Sequence, residues 1–250
     1  MDLKLIGIGT GNPKHLTLQA IGAMRSCDLI LVPRKGGEKG ELAETRRAIC
    51  AEHLGPGTRL VEIDMPVRDE GIASYRDRVD AWHDAIAGRW LEAIAACDPV
   101  PTAVGLLVWG DPSLYDSTMR IAERLATRMP LRLAVIPGIT SLQGLTAAHA
   151  IPLNEVGEAV TITTGRLLRE KGFPEGVDTV AVMLDGECSF RALEPAGIDI
   201  WWGAYVGMAQ EAILSGPLSD LADLIVETRS ILRARHGWIM DIYLLRRGRV

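Results

Sequence analysis

The sequence predicts an α/β chain of two α/β domains, with a mostly parallel sheet in the first and a mixed sheet in the second. Three observations carry this. Short apolar runs alternate with helical patterns through the first half, the rhythm of βαβ units. Glycine- or proline-bent turns follow three of those runs, at Gly7-Ile8-Gly9-Thr10-Gly11, Gly110-Asp111-Pro112 and Pro137-Gly138. The second half changes character and holds neighbouring runs suited to antiparallel pairing. The boundary falls near residues 138–150, giving expected domains 1–138 and 139–250.

In order, residues 4–8 read as a first strand, apolar on both faces and so buried on both. The glycines follow, and a helix opens over 16–21. Residues 28–32 form a second strand, stopped by Pro33. A helix over 41–54 leads to a third strand at 59–63. A long helical stretch, 73–97, contains Trp82, His83 and Trp90. Residues 102–108 are a β-prone apolar run, 116–129 a helix, and 131–136 a strand. Past the boundary, 159–163 and 179–184 read as strands with a helical turn between them. Residues 199–206 and 210–214 form an antiparallel pair. A helix over 219–227 and a last strand over 238–245 complete the chain.

Composition excludes several classes. The chain has 250 residues, 48% hydrophobic and 24% charged, which is ordinary for a globular protein and unlike a disordered one. No apolar run approaches the ~18 residues of a membrane span, so no membrane partner is expected. The opening Met1-Asp2-Leu3-Lys4-Leu5-Ile6 lacks the pattern of a secretory signal. A net charge of −5 disfavours nucleic acid as a general partner. The cysteines, Cys27, Cys50, Cys97 and Cys188, have no CxxC spacing; no metal is expected, and a reducing cytoplasm is. The charge is uneven: Arg229, Arg233, Arg235, Arg246, Arg247 and Arg249 face only Asp241 in the last stretch. That is a solvated face or a contact for an anion.

Gly7, Gly9 and Gly11 either allow backbone to approach a ligand closely or form a purely structural turn. They do not make a dinucleotide fingerprint: position 12 is Asn, and the second strand ends Leu31-Val32-Pro33-Arg34 without a ribose-binding acid. Gly110-Asp111-Pro112 sits at the C-terminal end of a strand, where open α/β sheets place ligands. Asp111 there accepts hydrogen bonds or offsets a cationic group. Thr140 and Ser141 either cap the next helix or meet a ligand.

Together these motifs resemble the tetrapyrrole methylases. The resemblance rests on Gly9-x-Gly11-Asn12-Pro13-x-x-Leu16-Thr17-Leu18-x-Ala20, Gly110-Asp111-Pro112-x-x-Tyr115, Pro137-Gly138-Ile139-Thr140-Ser141 and Ala150-Ile151-Pro152-Leu153. It implies a tetrapyrrole methylase fold with a ligand trough between the domains, a homodimer, and S-adenosylmethionine as methyl donor. Val108 to Thr118, Val79 to His83 and the long insertion over 33–97 resemble the branch of aerobic cobalamin synthesis that methylates C-1 of precorrin-5 and releases acetate. The neighbouring alternatives are methylation of precorrin-2 at C-20, another corrin-ring methylase or, from a different class, a non-catalytic tetrapyrrole-binding protein.

The resemblance implies donor contacts at Pro13, Trp109, Gly110, Asp111, Leu114, Thr140, Ser141, Met183, Leu184 and Tyr205. It departs from the family at Asn12, where the first loop usually has a carboxylate, so that loop is expected to supply shape rather than charge. Asp111 and Tyr115 are the expected catalytic residues, with His83 a further candidate for acetate release. The implied tetrapyrrole partner bears many carboxylates, which calls for local cations: Arg34, Lys35, Lys39, Arg46, Arg47, Arg68, Arg76, Arg78, Arg166 and Arg169 are candidates. The glycines at 36, 37 and 40 suit residues 34–40 to a mobile lid. Trp82, Trp90 and Trp109 are candidates to line an apolar trough, and Trp201, Trp202 and Trp238 to pack a core or make dimer contacts.

Overall fold

In the computed structural model, residues 1–34 and 40–248 are described, with the side chains of 40–43 left aside. The chain divides into two units, Met1–Ile139 and Thr140–Val250. Among the described residues the first unit holds a five-stranded sheet in the order β3-β2-β4-β1-β5, every pair parallel. Its strands are β1 (Asp2–Gly7), β2 (Leu29–Arg34), β3 (Arg59–Asp64), β4 (Ala103–Val108) and β5 (Arg132–Ile136).

The sheet is covered on both faces, and strand alternation assigns the faces. Leu3, Leu5, Leu29, Leu31, Leu106 and Val108 share one buried cluster with α3 (Tyr75–Ala95) and α4 (Thr118–Ala126). Ile6, Ile8, Ile30, Val32 and Leu107 share another with α1 (Leu18–Arg25) and α2 (Gly40–His53). Runs that read as uniformly apolar are thus two interleaved apolar faces.

Pro33 does not stop the second strand. β2 runs on to Arg34, with Pro33 beside Ile63 of β3. The reason lies in the ladder. Asp28 O accepts from Arg59 N and Arg34 O from Met65 N, so the even carbonyls face β3 and the nitrogen of Pro33 faces β4. Pairing of β2 with β4 ends at Leu31, so the missing N–H breaks no bond.

The second unit holds a mixed five-stranded sheet among its described residues, ordered β6-β7-β10-β8-β9. The strands are β6 (Val160–Thr164), β7 (Thr179–Met183), β8 (Ile198–Ala204), β9 (Ala212–Pro217) and β10 (Asp241–Arg247). β6 and β7 are parallel; β10 runs against both β7 and β8, and β8 against β9. The helices are α5 (Ser141–His149), α6 (Gly165–Lys171) and α7 (Leu218–His236). Trp202, Tyr205, Tyr243 and Phe190 are fully buried, with Phe190 edge-on to Tyr243 at 5.3 Å.

α7 outruns the expected 219–227. Buried Leu218, Ile225 and Leu232 continue one stripe at seven-residue spacing, and the helix ends only where Gly237 takes φ 73° and donates to Arg233 O at 2.8 Å. The last strand consequently starts at Asp241 rather than Trp238. No helix among the described residues is long and apolar enough to cross a membrane.

Candidate functional site

β1 and β4 are neighbours whose following connections depart in opposite directions, β1 towards β2 and β4 towards β5. The crevice beyond their C-terminal ends is a topological switch point, the place where open α/β sheets bind ligands. Both strands end in glycine loops there. Gly110 N donates to Gly9 O at 2.8 Å and Gly9 N to Gly110 O at 3.3 Å, with both residues at positive φ (66° and 75°).

A third tip joins them. A Cβ built on Gly138, just past β5, would lie 2.1 Å from Gly110 O and 2.9 Å from Gly7 Cα. One built on Gly7 would lie 2.6 Å from Gly138 N. Side chains at these positions would force backbone apart, so the glycines are what allow three strand ends to converge. The motif glycines at 7 and 138 therefore act on each other's backbone.

Asp111 ties the cluster together. Its Oδ2 accepts the Gly138 N–H at 2.8 Å, and its Oδ1 accepts the Ser113 N–H at 2.8 Å and the Ser113 hydroxyl. Burial pushes the carboxyl upward, but the hydrogen bonds from the Ser113 hydroxyl, Gly138 N–H and Ser113 N–H outweigh it and hold the group below its ordinary value. Asp111 is thus a fixed anion and a brace. Leu114 N donates to Asp111 O at 3.3 Å, closing the loop, and Tyr115 follows with φ 49°. The Tyr115 side chain is 45% exposed, and partial burial raises its phenol. Asn12 caps the short turn Pro13–His15 by accepting the Lys14 N–H at 2.9 Å, with Pro13 at its first position.

In the second unit, Tyr243 of β10 pairs with Val182 of β7 and with Trp202 of β8. β7 and β8 therefore end within one residue of each other, on either side of β10. The residues that leave them, Leu184 and Tyr205, both take left-handed backbones, φ 53° and 51°. Bulky residues rarely do so, and each costs about 1–3 kcal/mol. Leu184 is 67% exposed, whereas Tyr205 is buried and donates its hydroxyl to Trp238 O at 2.5 Å. Met183 closes β7 opposite Thr164. Asp185 turns inward and accepts from Tyr243 Oη at 2.7 Å and Ser189 N at 2.6 Å. Thr140 is the N-cap of α5, completing a capping box with Gln143, and Ser141 opens the helix. Capping is thus the role the structure gives Thr140.

Several charged candidates turn out to be paired. Arg34 pairs with Asp64, Arg47 with Glu62, Arg166 with Glu170 and Arg169 with Glu187. In the basic last stretch, Arg229 pairs with buried Asp241, Arg246 with Glu155, and Arg247 covers the Phe173 ring at 4.1 Å. Arg229 and Arg246 are thus internal ties of the second unit, whereas Arg233, Arg235 and Arg247 are exposed, as a solvated face requires. Lys35 and Lys39, most of the expected lid, and Arg249 lie outside the described residues. His83 is buried with neither ring nitrogen partnered among the described residues; burial, then Arg124, lowers its pKa, which leaves a neutral core histidine. Trp82, Trp90 and Trp109 come together on a cavity of about 230 Å³. Trp202 and Trp238 are core residues. No cluster of three metal-ligating side chains occurs among the described residues.

Comparison with known proteins agrees with this architecture. The family model of Tetrapyrrole (Corrin/Porphyrin) Methylases matches residues 2–222. The chain is 51% identical over 248 residues to precorrin-6A synthase (deacetylating) of Sinorhizobium sp, covering 98% of this chain and 94% of that protein. The crystal structure of a cobalamin synthesis related protein, CobF, of Corynebacterium diphtheriae superposes with a TM-score of 0.82 at 38% identity, over 98% of each chain. A uroporphyrin-III C-methyl transferase from Thermus thermophilus, solved with S-adenyl homocysteine, shares the fold at a TM-score of 0.61 and 18% identity, over 98% of this chain and 97% of that one. The family match spans most of the sequence, including the strand tips at Gly9, Gly110 and Gly138: the chain belongs to the tetrapyrrole (corrin/porphyrin) methylases.

Proposed function

We propose that this chain is an S-adenosylmethionine-dependent C-methyltransferase of aerobic cobalamin biosynthesis, methylating C-1 of precorrin-5 with loss of acetate to give precorrin-6A. The observation that carries this is 51% identity across 98% of the chain to a precorrin-6A synthase (deacetylating). The protein is proposed to work in the cytoplasm, in keeping with its free cysteines, and it is proposed to be a homodimer.

The strand tips suit a nucleoside donor. Left-handed Gly9 and Gly110 lock the two tips together through their paired peptide groups, and the Gly110 turn is left half-buried at the end of β4. Donor contacts are proposed at Pro13, Trp109, Gly110, Asp111 and Leu114 of the first unit. In the second unit, donor contacts are proposed at Thr140, Ser141, Met183, Leu184 and Tyr205. When bound, the donor supplies a methyl already activated by its sulfonium, so the protein needs no strong base for transfer. What its residues contribute is orientation, for which well-aligned reactants gain up to about 7–11 kcal/mol. Asp111, kept ionised by its hydrogen bonds, is proposed to brace the Gly110 loop and to offset positive charge nearby.

Acetate release requires water to add to an acyl carbonyl and the bond from that carbon to the ring to break, its electron pair passing into the macrocycle; the oxyanion of the tetrahedral adduct calls for a hydrogen-bond donor. Tyr115 is proposed to be that donor: its raised phenol keeps its proton at neutral pH, and its side chain is exposed enough to be reached. The test is incubation with precorrin-5 and methyl-labelled donor. Label in the macrocycle and S-adenosylhomocysteine in solution support the proposal; donor left unconsumed refutes it.

A further inference from the structure

The first unit contains a cavity of about 230 Å³ beside the C-terminal half of β4. Trp82, Trp90 and Ile86 of α3 and Leu106 of β4 give it apolar walls, and Arg46 and Asp116 give it opposite charges. Its size corresponds to roughly eight waters at about 30 Å³ each, several times the volume of a two-carbon acid. It also falls below the about 300–1,000 Å³ of pockets for drug-sized ligands, and so suits one substituted ring rather than a macrocycle.

The polar groups narrow the occupant. Arg46 donates Nε–H to Leu107 O at 3.2 Å and lies over the Trp109 ring at 5.6 Å, which fixes its charge at the wall. Asp116 Oδ1 accepts the Thr118 N–H at 2.6 Å, which fixes the carboxylate on the α4 side. Trp90 is 3% exposed, and its indole N–H has no partner among the described residues. A buried unpaired donor is rare and calls for an acceptor. The complement is an aromatic-sized ring that carries an anion for Arg46, an acceptor for Trp90 and an N–H for Asp116.

We propose that this cavity binds one pyrrole ring of the tetrapyrrole substrate, stacked among the tryptophans with a carboxylate arm towards Arg46. The proposal rests on the methyltransferase reading for the identity of the ring and adds where that ring is held. Indole faces supply the stacking surface, and a cation over a carboxylate in apolar surroundings supplies direction.

The probe is a monopyrrole carrying acetate and propionate arms, followed by tryptophan fluorescence without donor or turnover. Saturable quenching is expected, weakened at least about tenfold in Arg46→Gln and restored in part in Arg46→Lys. Trp90→Phe, which removes the unpaired N–H but keeps an aromatic ring, is expected to weaken binding several-fold and carries the test should Arg46→Gln fail to fold. Acetate alone, and a furan analogue lacking the ring N–H, are expected to bind more weakly. Absence of saturable quenching, or equal affinity for acetate and the monopyrrole, or binding indifferent to both Arg46→Gln and Trp90→Phe, overturns the proposal. Because no methyl is transferred, failure here is separable from failure of the reaction with precorrin-5.

Discussion

The Asp111 carboxylate accepts the backbone N–H of Gly138 at 2.8 Å, joining the tip of β4 to the tip of β5 across β1. That bond makes a loop residue part of the frame, and it can be tested by stability before any assay of activity.

Asp111→Ala leaves the N–H groups of Gly138 and Ser113 without their acceptor, at a cost of about 1–3 kcal/mol. Asp111→Asn keeps the shape and loses the charge, and is expected to weaken donor binding. The pH sign is fixed by the depressed carboxyl. Its contribution to stability is present above the unfolded value of 3.8 and is lost as pH falls below that through the folded value. Thermal melts between about pH 2 and about pH 5 should therefore show a shallower acid slope for Asp111→Asn than for the unaltered protein. Parallel slopes would remove Asp111 from the account.

Gly138→Ala places a methyl 2.1 Å from Gly110 O, a backbone atom that has nowhere to go. The expected loss is about 1–3 kcal/mol or more. Gly22→Ala is the matched control: it lies within α1, with nothing within 4 Å of its Cβ, and is expected to stabilise by up to about 1 kcal/mol. Denaturant midpoints that move in the same direction for both would contradict the convergence of the strand ends.

Leu184→Gly separates strain from function. Glycine relieves the left-handed backbone at φ 53°, so stability is expected to stay level or to rise by up to about 1 kcal/mol. If Leu184 contacts the donor as proposed, affinity falls in the same variant. Calorimetry with S-adenosylhomocysteine reads this directly, and unchanged affinity would withdraw Leu184 from the donor site.

Arg229→Met strands Asp241, which is buried and retains only the Trp202 indole N–H at 3.0 Å as a side-chain donor among the bonds described. Removing one partner of a buried pair costs about 3–5 kcal/mol, whereas replacing both with apolar groups costs far less. Arg229→Met combined with Asp241→Leu is thus expected to recover much of the loss in urea denaturation.

The parts of this protein legible in its sequence are those set by local pattern. Apolar runs marked the strands, and Gly9, Gly110 and Pro137-Gly138 marked where they end. What escaped depends on distant neighbours. Pro33 looks like a strand stop until the ladder shows its nitrogen on the side where pairing has ended. Arg229 and Arg246 look like a basic tail until Asp241 and Glu155, remote in sequence, come against them. Gly237 was the missed stop signal of α7, visible once the stripe of Leu218, Ile225 and Leu232 is followed past Thr228. Arg46 showed only as one cation in a mixed run, because its place on a tryptophan-lined cavity is set by the packing of α2, α3 and β4.

The most direct measurement of the proposed activity is the ratio of acetate released to methyl transferred when the protein is given labelled donor and precorrin-5, with precorrin-2 in a parallel reaction. One acetate for each methyl is expected with precorrin-5, and no transfer to precorrin-2. Methylated precorrin-2, or methyl transfer to precorrin-5 without acetate, would contradict that activity.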